Sequence, residues 1–149
     1  MLRVLVVDDW QDSITSFHWL LQEWGHETRV AADGPTALKM AETFQPDVVI
    51  LDLAMPGMDG YEVAKCLRQR DPQKPLLIAH SGYCSDADVR RSLEAGCSYH
   101  FPKPVDPIEV KQLLEAYEQW LQRKLSERCP QLALVEPFPG LEPTCGERL

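Results

Sequence analysis

Five side chains in this sequence could do chemistry together if the fold gathers them: Asp8, Asp9, Asp52, Ser81 and Lys103. Asp8 and Asp9 follow the apolar run Val4–Val7, Asp52 follows Val48–Leu51, Ser81 follows a run that begins at Pro75, and Lys103 lies two residues past Phe101. Three carboxylates at one mouth repel and raise each other's pKa unless positive charge sits among them, and oxygen-only donors with open positions favour a hard divalent cation such as Mg2+. A hydroxyl and an ammonium facing them form a cradle for a group with several anionic oxygens, and a phosphoryl group fits best. A carboxylate can also be the nucleophile and carry the phosphoryl group as an aspartyl phosphate. The residue types alone do not say which aspartate. Each residue is weak evidence by itself: an Asp pair at a strand end can simply cap a helix, a Ser can be a turn hydroxyl, and a Lys is usually solvated. Their value is joint.

The elements that must position them alternate in type. Short β-branched runs at Arg3 to Val7, Glu27 to Ala31, Asp47 to Leu51, Pro75 to His80 and Ser98 to Phe101 read as strands. Between them lie stretches of helical period. Ile14, Phe17, Leu21 and Trp24 give the first helix an apolar face before Gly25; Ala37, Leu38, Ala41 and Phe44 mark a second after Asp33; Tyr61, Val63, Ala64 and Leu67 a third; Val89, Leu93 and Ala95 a fourth ending at Gly96. The last helix has the clearest start, with Asp106 as cap, Pro107 in the first turn and Glu109 three residues after the cap. It runs about twenty residues, roughly 30 Å at 1.5 Å per residue, and is expected to overhang the sheet. This alternation predicts an α/β, flavodoxin-like doubly wound sheet of five parallel strands in the order 2-1-3-4-5 with five helices. Ligands of such sheets bind where the order reverses, between strands one and three, and that is where Asp8, Asp9 and Asp52 would stand.

The chain of 149 residues is one domain's length, and 44% hydrophobic with 26% charged residues is ordinary for a globular protein. We expect a folded domain over 1–128 and an irregular, Pro-rich tail over 129–149. The tail's Leu132, Leu134, Val135, Phe138 and Leu141 are more apolar than a free linker tolerates, so docking on the domain or on a partner is expected to be open to it. Fifteen Lys and Arg against 23 Asp and Glu give a net charge of -8, which argues against binding nucleic acid. Asp8 and Asp9 end the first apolar run before a signal peptide or membrane span could form, so a cytoplasmic protein is expected. The five cysteines are scattered, with no C-x-x-C spacing, and are read as reduced thiols, mostly buried.

Four stretches carry a resemblance: Val4-Leu-Val-Val-Asp8-Asp9; Pro46-Asp-Val-Val-Ile-Leu-Asp52 running on to Gly60; Ile78-Ala-His-Ser81-Gly-Tyr; and Lys103-Pro104-Val. In this order and at these separations the chain, over residues 1 to about 125, resembles the receiver domain of a bacterial two-component response regulator. The resemblance implies that Asp52 is the phosphoacceptor. It implies that Asp9, Asp52 and the backbone carbonyl of Ala54 hold Mg2+ directly and Asp8 holds it through water, while Ser81 and Lys103 contact the phosphoryl oxygens. The donor would be a phosphohistidine on a sensor histidine kinase or a histidine phosphotransfer protein, or a small acyl phosphate. Ser81 and His100 match the family's switch pair, and Lys103–Pro104 its cis peptide. Some positions depart from the pattern. His80 stands where an apolar residue is usual, Pro102 lacks an N–H inside the fifth strand, and His100 replaces a more common Tyr or Phe. Ala54 and Tyr83 stand where polar side chains can position the hydrolytic water, so a slowly self-dephosphorylating phospho-form is expected.

The resulting expectation is a stand-alone phosphorylation-dependent binding switch, chemotaxis-type or relay-like. It would act through the surface of helix four, strand five and helix five on an unknown downstream protein, with no enzymatic output, no nucleic acid and no membrane, and a homodimer as an option. Its rival is a receiver-fold scaffold acting through a constitutive or dimeric surface, with phosphorylation secondary. An aspartyl-phosphate phosphatase of the haloacid dehalogenase type fits poorly, because Asp8-Asp9-Trp10 is not D-x-D and no cap insertion is present. The exposed part of the last helix, with Gln119, Trp120 and Arg123, and the apolar tail are the surface most particular to this chain.

Overall fold

Five parallel strands, β1 (Arg3–Val7), β2 (Glu27–Ala31), β3 (Val48–Leu51), β4 (Leu76–Ser81) and β5 (Tyr99–Pro102), form one sheet in the order β2-β1-β3-β4-β5 in the computed structural model. The order is the expected one. The structure describes residues 1–72, 74–126 and 138. β3 and β4 are buried along their whole length, as strands covered on both faces must be, and this explains their unbroken apolar runs. β3, β4 and β5 begin one residue later than the sequence suggests, and β4 and β5 also end one later, with Ser81 still inside β4.

The connecting helices are α1 (Gln11–Glu23), α2 (Gly34–Phe44), α3 (Gly60–Arg70), α4 (Asp86–Ala95) and α5 (Pro107–Ser126). Their ends follow from local chemistry. Asp33 accepts from the Thr36 N–H at 2.8 Å to start α2, Asp59 accepts from Glu62 at 2.9 Å to start α3, and Ser85 and Asp88 form a reciprocal capping box on α4. Asp106 accepts from the Ile108 N–H at 2.9 Å at the head of α5. Gly25 (φ +83°) follows α1 and Gly96 (φ +111°) ends α4, left-handed positions where a Cβ would be strained.

Because side chains alternate along a strand, the sheet has two apolar faces. Leu5, Val7, Val49, Leu51, Leu77 and Ala79 pack with residues of α2, α3 and α4, including Phe44, Val63 and Leu67. Val4, Val6, Val48, Ile50, Leu76 and Ile78 pack with Phe17 and Leu21 of α1 and Val110, Leu114 and Tyr117 of α5. On α4 the burial differs from the periodicity: Val89 and Leu93 are half-buried, while Ser92 is fully buried. Edge position makes Pro102 tolerable, since among the described residues β5 pairs only with β4. Cys97 is buried and Cys66 and Cys84 are half-buried, all three as free thiols; Cys129 and Cys145 lie outside the described residues. No helix among the described residues is long and apolar enough to cross a membrane.

Phe138 is the one described residue beyond Ser126, and it is buried against α5 and β5. Docking of the tail is thus seen at Phe138. Its other apolar residues lie outside the described set.

Candidate functional site

The register delivers the acidic residues to one edge. Val7 of β1 pairs with Leu51 of β3, which pairs with Ala79 of β4, so Asp8 and Asp52 leave the sheet side by side. Backbone bonds extend the ladder one step beyond the strands, from the Asp8 N–H to the Ala31 carbonyl at 3.1 Å and from the Asp52 N–H to the Val7 carbonyl at 2.8 Å. Asp8 and Asp52 are buried, and Asp9 is exposed at the rim. One carboxylate oxygen from each of the three lies within 4.8 Å of the others. A cation with oxygen ligands at about 2.1 Å would need only a small inward turn of these side chains to touch all three. The set is all oxygen, which suits Mg2+ and not a softer metal.

Lys103 follows β5 and reaches back across the crevice. Its ammonium Nζ lies 2.9 Å from Asp8 Oδ2 and 3.4 Å from Asp52 Oδ2, and the Lys103–Pro104 peptide is cis. The two carboxylates share this cation unequally. Burial would raise Asp8, but the Trp10 N–H at 2.9 Å and Lys103 together hold it below the usual carboxylate range. Asp52 is raised, by burial first and by the negative charge of Asp8, against the opposing Ala54 N–H at 3.1 Å and Lys103. Lys103 is itself raised: burial disfavours its charge, but Asp8 and Asp52 outweigh that. Asp8 therefore anchors the ammonium, and Asp52 is the more basic oxygen.

Ser81 ends β4 and is fully buried. Its Oγ accepts from the Tyr83 N–H at 3.1 Å, and its carbonyl accepts from the Lys103 N–H at 3.0 Å. The carbonyl of the same Tyr83 lies 3.0 Å from His100 Nε2. A carbonyl only accepts, so Nε2 carries the hydrogen. His100 Nδ1 is 3.0 Å from Ser92 Oγ, whose single hydroxyl hydrogen is shared between that nitrogen and the Val89 carbonyl at 2.7 Å. The Tyr83 backbone thus joins Ser81 to His100, and His100 is held inward by α4. Burial lowers the His100 pKa, against the bond to Tyr83 and the charge of Asp88. Sequence reasoning missed Ser92, because its importance comes from packing across α4 and β5; the Tyr83 contribution comes from its backbone, which no side-chain motif can mark.

His80 faces the α1 side and is 7% exposed, with its ring edge-on to Phe17 at 5.0 Å and 81°. Its Nε2 is buried with no hydrogen-bond partner among the described residues. Burial, then the positive charge of Lys103, pushes its pKa down to about 4, so it is a neutral ring at ordinary pH. β4 runs on through it undisturbed. Ala54 and Tyr83 both present exposed side chains.

A parallel sheet in the order β2-β1-β3-β4-β5, with carboxylates at its switch point and a lysine reaching in from the last strand, is an arrangement of the CheY-like fold. Comparison with solved structures agrees: chemotaxis protein CheY4 of Vibrio cholerae superposes with a TM-score of 0.73 at 29% identity, covering 77% of this chain and 97% of that one. The family model of the response regulator receiver domain matches residues 4–115, and this chain belongs to that family. Among curated proteins, the alkaline phosphatase synthesis transcriptional regulatory protein PhoP of Bacillus subtilis is 37% identical over 114 residues, 76% of this chain but 47% of that protein. The chain spans about half the length of that relative. Sporulation initiation phosphotransferase F of Bacillus subtilis is 31% identical over 115 residues, 77% of this chain and 92% of that protein.

Proposed function

We propose that this chain is a signalling switch that takes a phosphoryl group onto Asp52 and relays the change through the α4–β5–α5 surface to a protein partner. The observation that carries this reading is Lys103 bridging Asp8 and Asp52 at 2.9 and 3.4 Å, beside a third carboxylate, at the sheet's switch point. Asp52, the more basic of the two buried carboxylates, is the nucleophile. Its oxygen forms the new bond to phosphorus as the bond to the donor's imidazole nitrogen breaks, the electron pair leaving with the imidazole. Asp8, Asp9, Asp52 and the Ala54 carbonyl would hold Mg2+, which supplies charge neutralisation for the incoming phosphoryl oxygens. Lys103 then pairs with the new dianion, and the Ser81 hydroxyl offers it a hydrogen bond. The donor is a sensor histidine kinase or histidine phosphotransfer protein, a role consistent with the likeness to a phosphotransferase. The chain itself is a phosphoacceptor and acts on no outside substrate.

Transmission follows from the backbone of Tyr83, whose N–H and carbonyl hold Ser81 and His100. If Ser81 turns toward the phosphoryl group, its Oγ leaves the Tyr83 N–H, and the Tyr83 carbonyl that anchors His100 becomes free to move. A neutral hydrogen bond is worth only about 1 kcal/mol, whereas reversing a two-state surface needs on the order of 5 kcal/mol. The charge-assisted contacts of Lys103 and the cation must therefore supply most of the bias.

The test is NMR of the full chain on adding Mg2+ with beryllium trifluoride, a phosphoryl mimic. Shifts are expected at Ser81, Tyr83, His100 and α4, and they disappear in Asp52→Asn. No response in the native protein would favour a scaffold acting through a constitutive surface.

A further inference from the structure

The family match ends at residue 115, but the chain continues through the rest of α5 to a stretch containing Phe138, which is 5% exposed. Its ring meets Tyr117 edge-on at 5.1 Å and 72°, Trp120 at 5.4 Å and 62°, and Tyr99 at 6.3 Å and 58°. Tyr117 and Trp120 stack at 5.6 Å and 20°, and Lys124 Nζ sits 3.8 Å from the Trp120 ring centre. Edge-to-face contacts of this kind are the preferred aromatic geometry, so the rings form a slot shaped to an aromatic side chain. Two of the slot's walls, β5 and α5, belong to the surface proposed above as the output face.

We propose that Phe138 is an intramolecular ligand of the β5–α5 edge, closing an aromatic slot to a partner's apolar side chain until modification of Asp52 loosens it. The second half of this statement rests on the function proposed above. Tyr99 and His100 are consecutive in β5 and so face opposite sides of the sheet, Tyr99 toward Phe138 and His100 toward Ser92. A peptide between two such anchors cannot shift on one side without disturbing the other. Tethering decides the occupant. Phe138 stands 138 − 126 = 12 residues after Ser126 in the sequence, and covalent attachment over so short a stretch gives an effective concentration on the order of millimolar. A partner present at about a micromolar would have to bind roughly a thousandfold more tightly to displace it unaided. Release is therefore a step that the signal itself must provide.

The experiment follows nuclear Overhauser contacts from Phe138 to Tyr117 and Trp120 in the full chain, with and without Mg2+ and beryllium trifluoride. The contacts are expected in the untreated protein and should weaken at least tenfold on treatment, with Trp120 moving toward its position in Phe138→Ala; Phe138→Leu, which keeps apolar bulk, should fall between. Contacts unchanged while Ser81 and His100 shift would overturn the proposal and leave the phosphoacceptor reading intact. Silence at Ser81 and His100 as well would overturn the phosphoacceptor reading. In a mixture of labelled and unlabelled chains, contacts seen only between different molecules would make the occupant a second copy and also overturn the proposal.

Discussion

Two buried carboxylates that share one ammonium are driven apart in basicity, and the tasks proposed for them above rest on that separation. Asp8 is held low by the Trp10 N–H and Lys103, and Asp52 is raised by burial and by Asp8. What happens after phosphorylation depends on the rim, where Ala54 offers a methyl group and Tyr83 an exposed ring. The Ala54 methyl has no polar atom with which to orient a water toward phosphorus. The phospho-form should be long-lived, and Ala54→Asn combined with Tyr83→Glu should shorten its lifetime roughly tenfold or more, within what positioned polar groups contribute to proton transfer. Loss of phosphate from acetyl-phosphate-labelled protein measures this, and an unchanged lifetime would refute it. At this scale the sequence was informative for groups with distinctive charge, because Asp8, Asp52 and Lys103 each stand one residue past a strand. It was silent on Ser92 and on the Tyr83 backbone, which owe their roles to how α4 lies on β5.

The helix α3 begins in close contact with the Asp52 loop. A Cβ on Gly60 would stand 2.3 Å from the Asp52 carbonyl oxygen and 2.7 Å from the Leu53 Cα, both backbone atoms with little freedom to yield. Gly60→Ala should therefore lower stability by about 3 kcal/mol, the upper end for overpacking. It should also weaken the beryllium trifluoride response by moving the Asp52 loop; urea unfolding and titration of the mimic check the two effects. Wild-type behaviour in both would show that the loop can relax. Elements were legible to within a residue wherever caps and periods agreed, as at Asp33, Gly25 and Asp106. α4 was less so: a helix lying at the edge of a sheet half-buries Val89 and Leu93, and its deepest position is taken by a small polar residue that hydropathy does not flag.

Across the whole molecule, a buried neutral histidine ties stability to acidity. His80 has a pKa of about 4 in the folded chain against an ordinary 6.5. Between those values the unfolded chain binds more protons, so stability falls as pH drops through the window from 6.5 to 4. At 1.36 kcal/mol per pKa unit the loss is about 3 kcal/mol. His80→Leu also removes an unpartnered buried nitrogen. Its urea midpoint relative to the native protein should rise between pH 7 and pH 4 by an amount equivalent to that figure, whereas parallel curves would show that His80 is not the source. The overall architecture was readable because βα alternation with strand-end acids admits few arrangements, and the tail's apolar content showed that docking was open to it. That Phe138 would be an anchor was not readable, since the slot exists only once Tyr99 and Tyr117 are folded together. Its seating has a further implication. A plug fastened to its own socket does not come away on dilution, so the resting population would be the same at low and high copy number, and the threshold for output would be written into the chain and not into its abundance.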